Sequence, residues 1–216
     1  MILRNLVISS LALVVLSACS MVKYNTLEKV GIHKRDILVA NVKDARDAQS
    51  DAQEQFKDAL ERFGSVVQIE ETGLKKAYDR LSDEYDDSKD AAEEVSDEID
   101  AVEQVAEDLF KEWGQEIEEY TNVELRKNSK RQLRDTQSRY KDMLVSMQAA
   151  ERSMQPVLNT FKDNVLYLKH NLNTQAVGSL KSTFATLEGD IGRLIEQMNQ
   201  SIARSNEFIA EMEPAS

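Results

Sequence analysis

The stretch from Leu74 to Trp113 carries an apolar residue at alternating steps of four and three, and no Gly or Pro interrupts it. The positions between are mostly Asp, Glu and Lys, and Ser88 is the one polar member of the seam. A 3.5-residue repeat predicts a helix that buries one narrow stripe against neighbouring helices, here a rod about 60 Å long. The seam consists of Leu74, Tyr78, Leu81, Tyr85, Ser88, Ala92, Val95, Ile99, Val102, Ala106, Leu109 and Trp113.

Three further stretches carry the same kind of repeat: Leu38 to Val66, Leu133 to Leu172, and Val177 to Met212. The chain of 216 residues has only 7 Gly and 2 Pro, so few sites could punctuate strands. We therefore expect an all-α fold in residues 34–213, with four long amphipathic heptad helices in antiparallel hairpins that form an elongated bundle or coiled coil. The second and third helices look longer than the others, so part of their hairpin should project. The seams could close within one chain or between two.

Local signals suggest where the helices begin. Thr72 is a candidate N-cap for the second helix, and Ser129 with Gln132 forms a capping-box pattern for the third. Lys130 and Arg131 would oppose the dipole of a helix that started there, so a continuous helix through this region is the alternative.

Residues 1–18 have the layout of a secretory signal peptide, with an early Arg4 followed by an apolar run too short to span a bilayer. The sequence Leu16-Ser17-Ala18-Cys19 resembles a bacterial lipobox, which implies that Cys19 is lipidated and becomes the first mature residue. Lipidation would also explain why the chain has a single cysteine. The alternative is an ordinary signal peptide with a chance cysteine.

The residue after the cysteine bears on the destination. In Gram-negative lipoproteins an Asp at that position tends to retain the product in the inner membrane, whereas this chain has Ser20. The resemblance therefore implies the outer membrane, with residues 19–33 as a lipidated tether.

Charge is distributed unevenly along the chain, whose net charge is −12. Glu70 to Glu119 has 20 acidic and 5 basic residues, whereas Thr121 to Asp142 has 7 basic and 3 acidic ones. The net acidity disfavours nucleic acid as a partner. The basic group could contact anionic headgroups of the same membrane, or it could be a solvated turn that balances the acidic helix. Its members are Arg126, Lys127, Lys130, Arg131, Arg134, Arg139 and Lys141, and the first five of them are the residues predicted for a membrane-contact tip.

Motifs for catalysis and metal binding are missing. The only histidines, His33 and His170, have no cysteine near them, and the sequence contains neither a P-loop nor a Gly-x-Ser-x-Gly elbow. The acidic cluster at Asp83 to Asp90 offers hard oxygen ligands, but a helix presents such groups outwards, so a solvated face is the preferred interpretation. We expect no enzyme activity, no catalytic residues, no metal and no cofactor.

The lipobox and the heptad helices together resemble an uncharacterised family of Gram-negative envelope lipoproteins, some of which carry the label DNA-repair ATPase. This sequence lacks the P-loop, so that activity is not expected of it, and the resemblance carries over no functional residue. We predict a non-enzymatic protein anchored in the outer membrane through Cys19, which faces the periplasm as a coiled-coil scaffold with a protein partner or a second copy. The alternative is a membrane-active or membrane-shaping protein that uses its amphipathic faces and basic tip.

Overall fold

The computed structural model describes residues 33–68, 73–171 and 174–213, and the long elements in those ranges are all α-helices. Each helix packs against the next one along the chain, and the last also packs against the first. Short connections make sequential neighbours antiparallel, so the four helices close into an up-and-down bundle. This confirms the all-α prediction and shows that the seams meet within one chain. The helices are α1 (Lys34–Val66), α2 (Leu74–Glu119), α3 (Val123–His170) and α4 (Thr174–Met212).

The core is built from the predicted seams. Every seam position of α1 from Leu38 to Val66 is buried, including the polar Gln49, and no seam position of α2 is fully exposed. Burial of these stripes supplies most of the stability, because helices with one narrow apolar face are marginal when isolated in water.

Aromatic side chains cluster towards the two ends of the bundle. Phe63 of α1 contacts Phe161 edge-to-face at a centroid distance of 5.8 Å and stacks on Phe184 at 6.1 Å. At the other end, Tyr140 packs against Phe110 and Phe208 at 5.3 and 6.3 Å. Between these clusters the buried residues of α1 are mostly small, with Phe56 as a large exception: the buried alanines are Ala45, Ala48, Ala52 and Ala59.

The helix starts differ from the predicted ones. Gly73 stands at the N-cap of α2, with no side-chain cap bond, and Thr72 lies outside the described residues. The predicted capping box at Ser129 is wrong: α3 begins six residues earlier at Val123, where the Asn122 side chain accepts hydrogen bonds from two backbone amides. The continuous-helix alternative is also wrong, because the helices break at residues 120–122. Asn122 is the N-cap of α3 because its short side chain can accept hydrogen bonds from two free backbone amides at once.

Candidate functional site

At one end of the bundle, α1 begins, α4 ends, and the hairpin of α2 and α3 continues past both. The Lys34 ammonium pairs with the Glu112 carboxylate at 2.9 Å, which fixes the level at which α1 begins beside α2. The hairpin then runs on to Glu119, a projection of about 10 Å at 1.5 Å per residue. The prediction that the α2–α3 hairpin projects is therefore confirmed. We call residues 114–134 the hairpin tip.

The turn at the apex is held by polar contacts. Asn122 Oδ1 accepts from the backbone amides of Glu124 and Leu125 at 2.9 and 3.1 Å. The Arg126 guanidinium donates to the Tyr120 carbonyl from Nη2 at 2.5 Å and from Nε at 3.2 Å. These bonds tie the turn residues Tyr120 and Asn122 to the first turn of α3, so the apex has a defined shape.

Large apolar side chains are exposed at the apex. Tyr120, Val123 and Leu125 are 40%, 77% and 52% exposed, and they fall within six consecutive residues. The other exposed large apolar residues of the described chain, Val145 and the pair Leu166 and Tyr167, lie further along α3. The apex thus concentrates apolar surface that the bundle does not cover, which in a soluble domain is typical of an interaction site.

The five cations predicted for the tip all lie in the first turns of α3, but they have different roles. Arg126 holds the turn, as described above. Lys130 pairs with the Glu118 carboxylate at 2.7 Å, and this hydrogen bond and charge lower the pKa of Glu118 from its ordinary value. Arg131 donates to Asn128 Oδ1 at 2.9 Å. Lys127 and Arg134 are exposed and form no ion pair with any described residue.

The base of the tip is locked to the bundle. Trp113 Nε1 donates to the buried Ser129 Oγ at 2.9 Å, which joins α2 to α3 below the apex. Ile117, one turn further along α2, is only 1% exposed. Beside Trp113 lies an open cavity of about 430 Å³, where α1 and α4 stop covering the hairpin. Its lining includes Arg35, Leu109, Arg139 and Met212. The apex therefore stands on a packed stem.

The acidic cluster has the character of a solvated face. Asp83, Asp86, Asp87 and Asp90 are exposed, while Glu84 pairs with Arg62 at 2.5 Å. Among the described residues, no group of His, Cys, Asp and Glu side chains has the geometry to hold a metal ion.

Further along α2, crowding of like charges is visible at one carboxyl group. Burial, together with the neighbouring carboxylates of Asp44, Glu94 and Asp97, raises the pKa of Glu98.

None of the helices in the described part of the chain is long and apolar enough to cross a membrane.

The predicted lipidation residue Cys19 and the sorting residue Ser20 lie outside the described residues, so those predictions remain untested. Sequence reasoning missed the exposed trio of Tyr120, Val123 and Leu125. A signal was available, because neither Val123 nor Leu125 belongs to a seam and both adjoin a stretch rich in cations.

Comparison with known families places almost the whole chain in one of them. A model of proteins of unknown function, DUF2959, matches residues 23–212. The chain belongs to the DUF2959 family. The match includes all four helices, so the DUF2959 unit contains the entire bundle and the tip. A comparison with curated proteins found no match. Membership in DUF2959 confirms that the chain belongs to an uncharacterised family. Lipidation and membrane location remain proposals.

Proposed function

We propose that this DUF2959 protein is a non-enzymatic scaffold, anchored by lipid on Cys19 to the outer membrane and facing the periplasm. Its role in this proposal is to present a rigid helical bundle to a protein partner or to a second copy of itself. Sorting to the outer membrane would follow from Ser20 at the position after the lipidated cysteine.

One observation carries the scaffold proposal. The apolar stripes of all four helices meet in one core, while the α2–α3 hairpin extends beyond the level where α1 begins and α4 ends. A closed core makes the bundle stiff, so exposed side chains of its faces, such as Val145 and Leu166, are held in fixed positions for a partner. Rigid presentation of a surface is the property that a scaffold needs.

The raised pKa of Tyr140 supports a structural role for that side chain. Burial beside Phe110 and Phe208, with the Glu103 and Glu107 carboxylates nearby, raises the pKa of Tyr140 to about 12. This side chain stays neutral and packs between rings, whereas a general base needs a pKa close to the working pH. Shifted groups in the described chain thus have local packing or ion-pair causes.

The anchor is tested by replacing the lipidated residue. We expect Cys19→Ala to move the protein from the membrane fraction to the soluble periplasmic fraction, and mass spectrometry of the unaltered protein to show a lipid-modified amino-terminal Cys19. A matched Ser20→Ala variant should keep the lipid and the membrane fractionation. An unmodified amino terminus at any other residue would contradict the anchor.

The partner is tested by site-specific photo-crosslinking in living cells. A photoreactive residue at Val145 or Leu166 samples exposed apolar surface of the bundle, and one at the buried position Val102 serves as the control. We expect discrete adducts from the exposed sites and none from Val102, with the adducts identified after purification through a tag beyond Met212. If the exposed sites give no more adduct than the buried one, the scaffold proposal fails.

A second candidate function is action on the membrane itself. The amphipathic faces are buried against each other in the bundle, so they would have to separate before they could act on lipid. The exposed apolar side chains of the tip favour a membrane contact without such opening. Dye release from vesicles distinguishes the two candidates, since a scaffold should leave vesicles intact.

A further inference from the structure

We propose that the hairpin tip docks on a bilayer that contains anionic phospholipid. The side chains of Tyr120, Val123 and Leu125 insert among the headgroups, while a basic stripe on α3 faces the lipid phosphates. The inference deepens the proposed function, on which it rests for the claim that anchor and tip meet the same membrane. Docking of the tip itself requires only the residues of the tip.

The apex has the composition of a membrane-interface segment. Val123 is 77% exposed at the first position of α3, where a solvated helix start would ordinarily carry a polar residue. Leu125 and Tyr120 extend this apolar surface to both sides of the turn. Amphipathic segments bury such side chains about 5–10 Å into the boundary between headgroups and acyl chains. The Tyr120 ring suits that level, because it has an apolar body and a polar end.

The cations lie on one side of α3 and are set back from the apex. Lys130 and Arg131 are adjacent, and each lies three or four residues from both Lys127 and Arg134, so the four cations form one stripe along the helix. Within the stripe Lys130 pairs with Glu118 and Arg131 bonds to Asn128, while Lys127 and Arg134 form no ion pair with a described residue. Lys127 is four residues from Val123, about 6 Å along the helix axis, which matches the depth of a phosphate layer above inserted side chains. The rest of the stripe lies within about a further 10 Å, a distance over which the surface potential still acts.

The order of these layers favours lipid over an acidic protein surface. An acidic protein would match the cations, but it would leave the apolar apex without an apolar counterpart. A bilayer offers both in the required order, with phosphates outside and acyl chains beneath. The acidic body of the protein points the same way, because the 17 acidic residues between Glu70 and Glu112 would be repelled by an anionic surface and hold the bundle upright. In the tip itself the five cations exceed the four carboxylates, which are those of Glu116, Glu118, Glu119 and Glu124.

The tip is also pre-organised and correctly placed. The turn is fixed by the Asn122 cap and by the Arg126 bonds, and its stem by the bond from Trp113 to Ser129. Little ordering is therefore required on contact. The tip projects from the end of the bundle at which α1 begins, the end nearer in sequence to Cys19.

The test uses the mature protein isolated from the bacterial envelope, with a tryptophan as depth reporter. Val123→Trp reports on the apex, and Val145→Trp is the matched control at another exposed valine of α3. The native Trp113 gives the same background in both variants and in the parent protein. Each protein is added to phosphatidylcholine vesicles with brominated acyl chains, which quench tryptophan at the acyl level, with or without phosphatidylglycerol.

With phosphatidylglycerol, we expect quenching of Val123→Trp to exceed that of Val145→Trp by at least about threefold, because only the apex reaches acyl depth. Charge reversal by Lys127→Glu with Arg134→Glu should remove that excess, since neither side chain holds the turn. The control reversal, Lys162→Glu with Lys181→Glu, changes the net charge equally at exposed sites near the opposite end of the bundle and should leave the excess intact.

Four results would overturn the inference. Equal, low quenching at both positions would mean that the apex stays in water, and equal, high quenching would mean that the bundle lies flat. The same excess on phosphatidylcholine alone, or its survival of the tip charge reversal, would exclude anionic lipid as the occupant. The amino-terminal mass of the same preparation reports separately on the anchor, so failure of the anchor and failure of the tip can be distinguished.

Discussion

Replacement of a buried glutamine by methionine should make this protein more stable. Gln49 lies on the seam of α1 and has no exposed surface. Its amide nitrogen is 3.5 Å from the Met147 carbonyl oxygen, at the outer limit of a hydrogen bond, and its Oε1 has no partner among the described residues. A buried acceptor without a partner costs about 1–3 kcal/mol, because the group loses its bonds to water on folding.

The expected gain follows from these contacts. Gln49→Met keeps an unbranched side chain, removes the unpaired oxygen and places a thioether in the core. The donor bond that is lost is long, and its loss should cost less than about 1 kcal/mol. We therefore expect the free energy of unfolding to rise by about 1–2 kcal/mol, which for a protein of this size raises Tm by about 2–4 °C per kcal/mol.

The assay is urea unfolding followed by circular dichroism, with Gln53→Met as the matched control. Gln53 lies one turn later on α1, where its amide donates to the Ile195 carbonyl at 3.2 Å and to Asn199 Oδ1 at 3.0 Å. The control should lower stability by about 1 kcal/mol, because it removes well-formed bonds between helices. Destabilisation of Gln49→Met to the same degree as Gln53→Met would refute the reasoning and indicate that Gln49 Oε1 is satisfied in the folded protein.

Three further predictions concern single positions. Gly192→Ala should raise the free energy of unfolding by about 1 kcal/mol in urea titrations, because Gly is a poor helix former and an added Cβ would meet nothing within 4 Å. Gly64→Ala should raise it by less, because the added Cβ would lie 3.1 Å from the Phe184 ring. The pKa of Tyr140 is raised from 10.0 to about 12, so between these pH values the folded state should keep a proton that the unfolded state has lost. The free energy of unfolding should therefore decrease as the pH rises from 10 to 12. Tyr140→Phe should make this decrease smaller, as measured by urea midpoints. Trp113→Phe should lower the free energy of unfolding by about 1 kcal/mol, because it leaves the buried Ser129 hydroxyl without its donor. In a Ser129→Ala background the same replacement should lower it by clearly less. Equal losses in the two backgrounds would show that the bond does not stabilise the stem.

The sequence predicts where the cations of the tip lie, but it does not predict the role of each cation. All five predicted cations lie near the turn, yet Arg126 folds back on the Tyr120 carbonyl and Lys130 pairs across the hairpin with Glu118. Which cations remain available depends on which carboxylates and carbonyls the neighbouring helix brings within reach. A linear sequence does not contain those distances.

The exposed apolar apex illustrates the same limit. In the sequence Val123 and Leu125 lie off the seams and beside a cation-rich stretch, but an apolar residue next to a turn can still be buried by a neighbouring helix, so their exposure could not be predicted. Their exposure follows from the lengths of the four helices, because α1 begins and α4 ends short of the apex and so cannot cover it. The prediction that the hairpin projects contained this consequence, but only the structure identified the side chains concerned.

Four helices and the apolar stripe of each could be predicted from the residue pattern, because a 3.5-residue repeat is a local property of the chain. The helix starts, and the partners of the polar groups in the seams, depend on how the helices pack against one another. Asn122 rather than Ser129 caps α3 because the Asn122 side chain accepts from two backbone amides, while Ser129 lies inside the helix and accepts from Trp113. Gln49 Oε1 lacks a donor among the described residues because of what the other helices place at its level. Such outcomes depend on distances between residues far apart in the chain, and packing sets those distances.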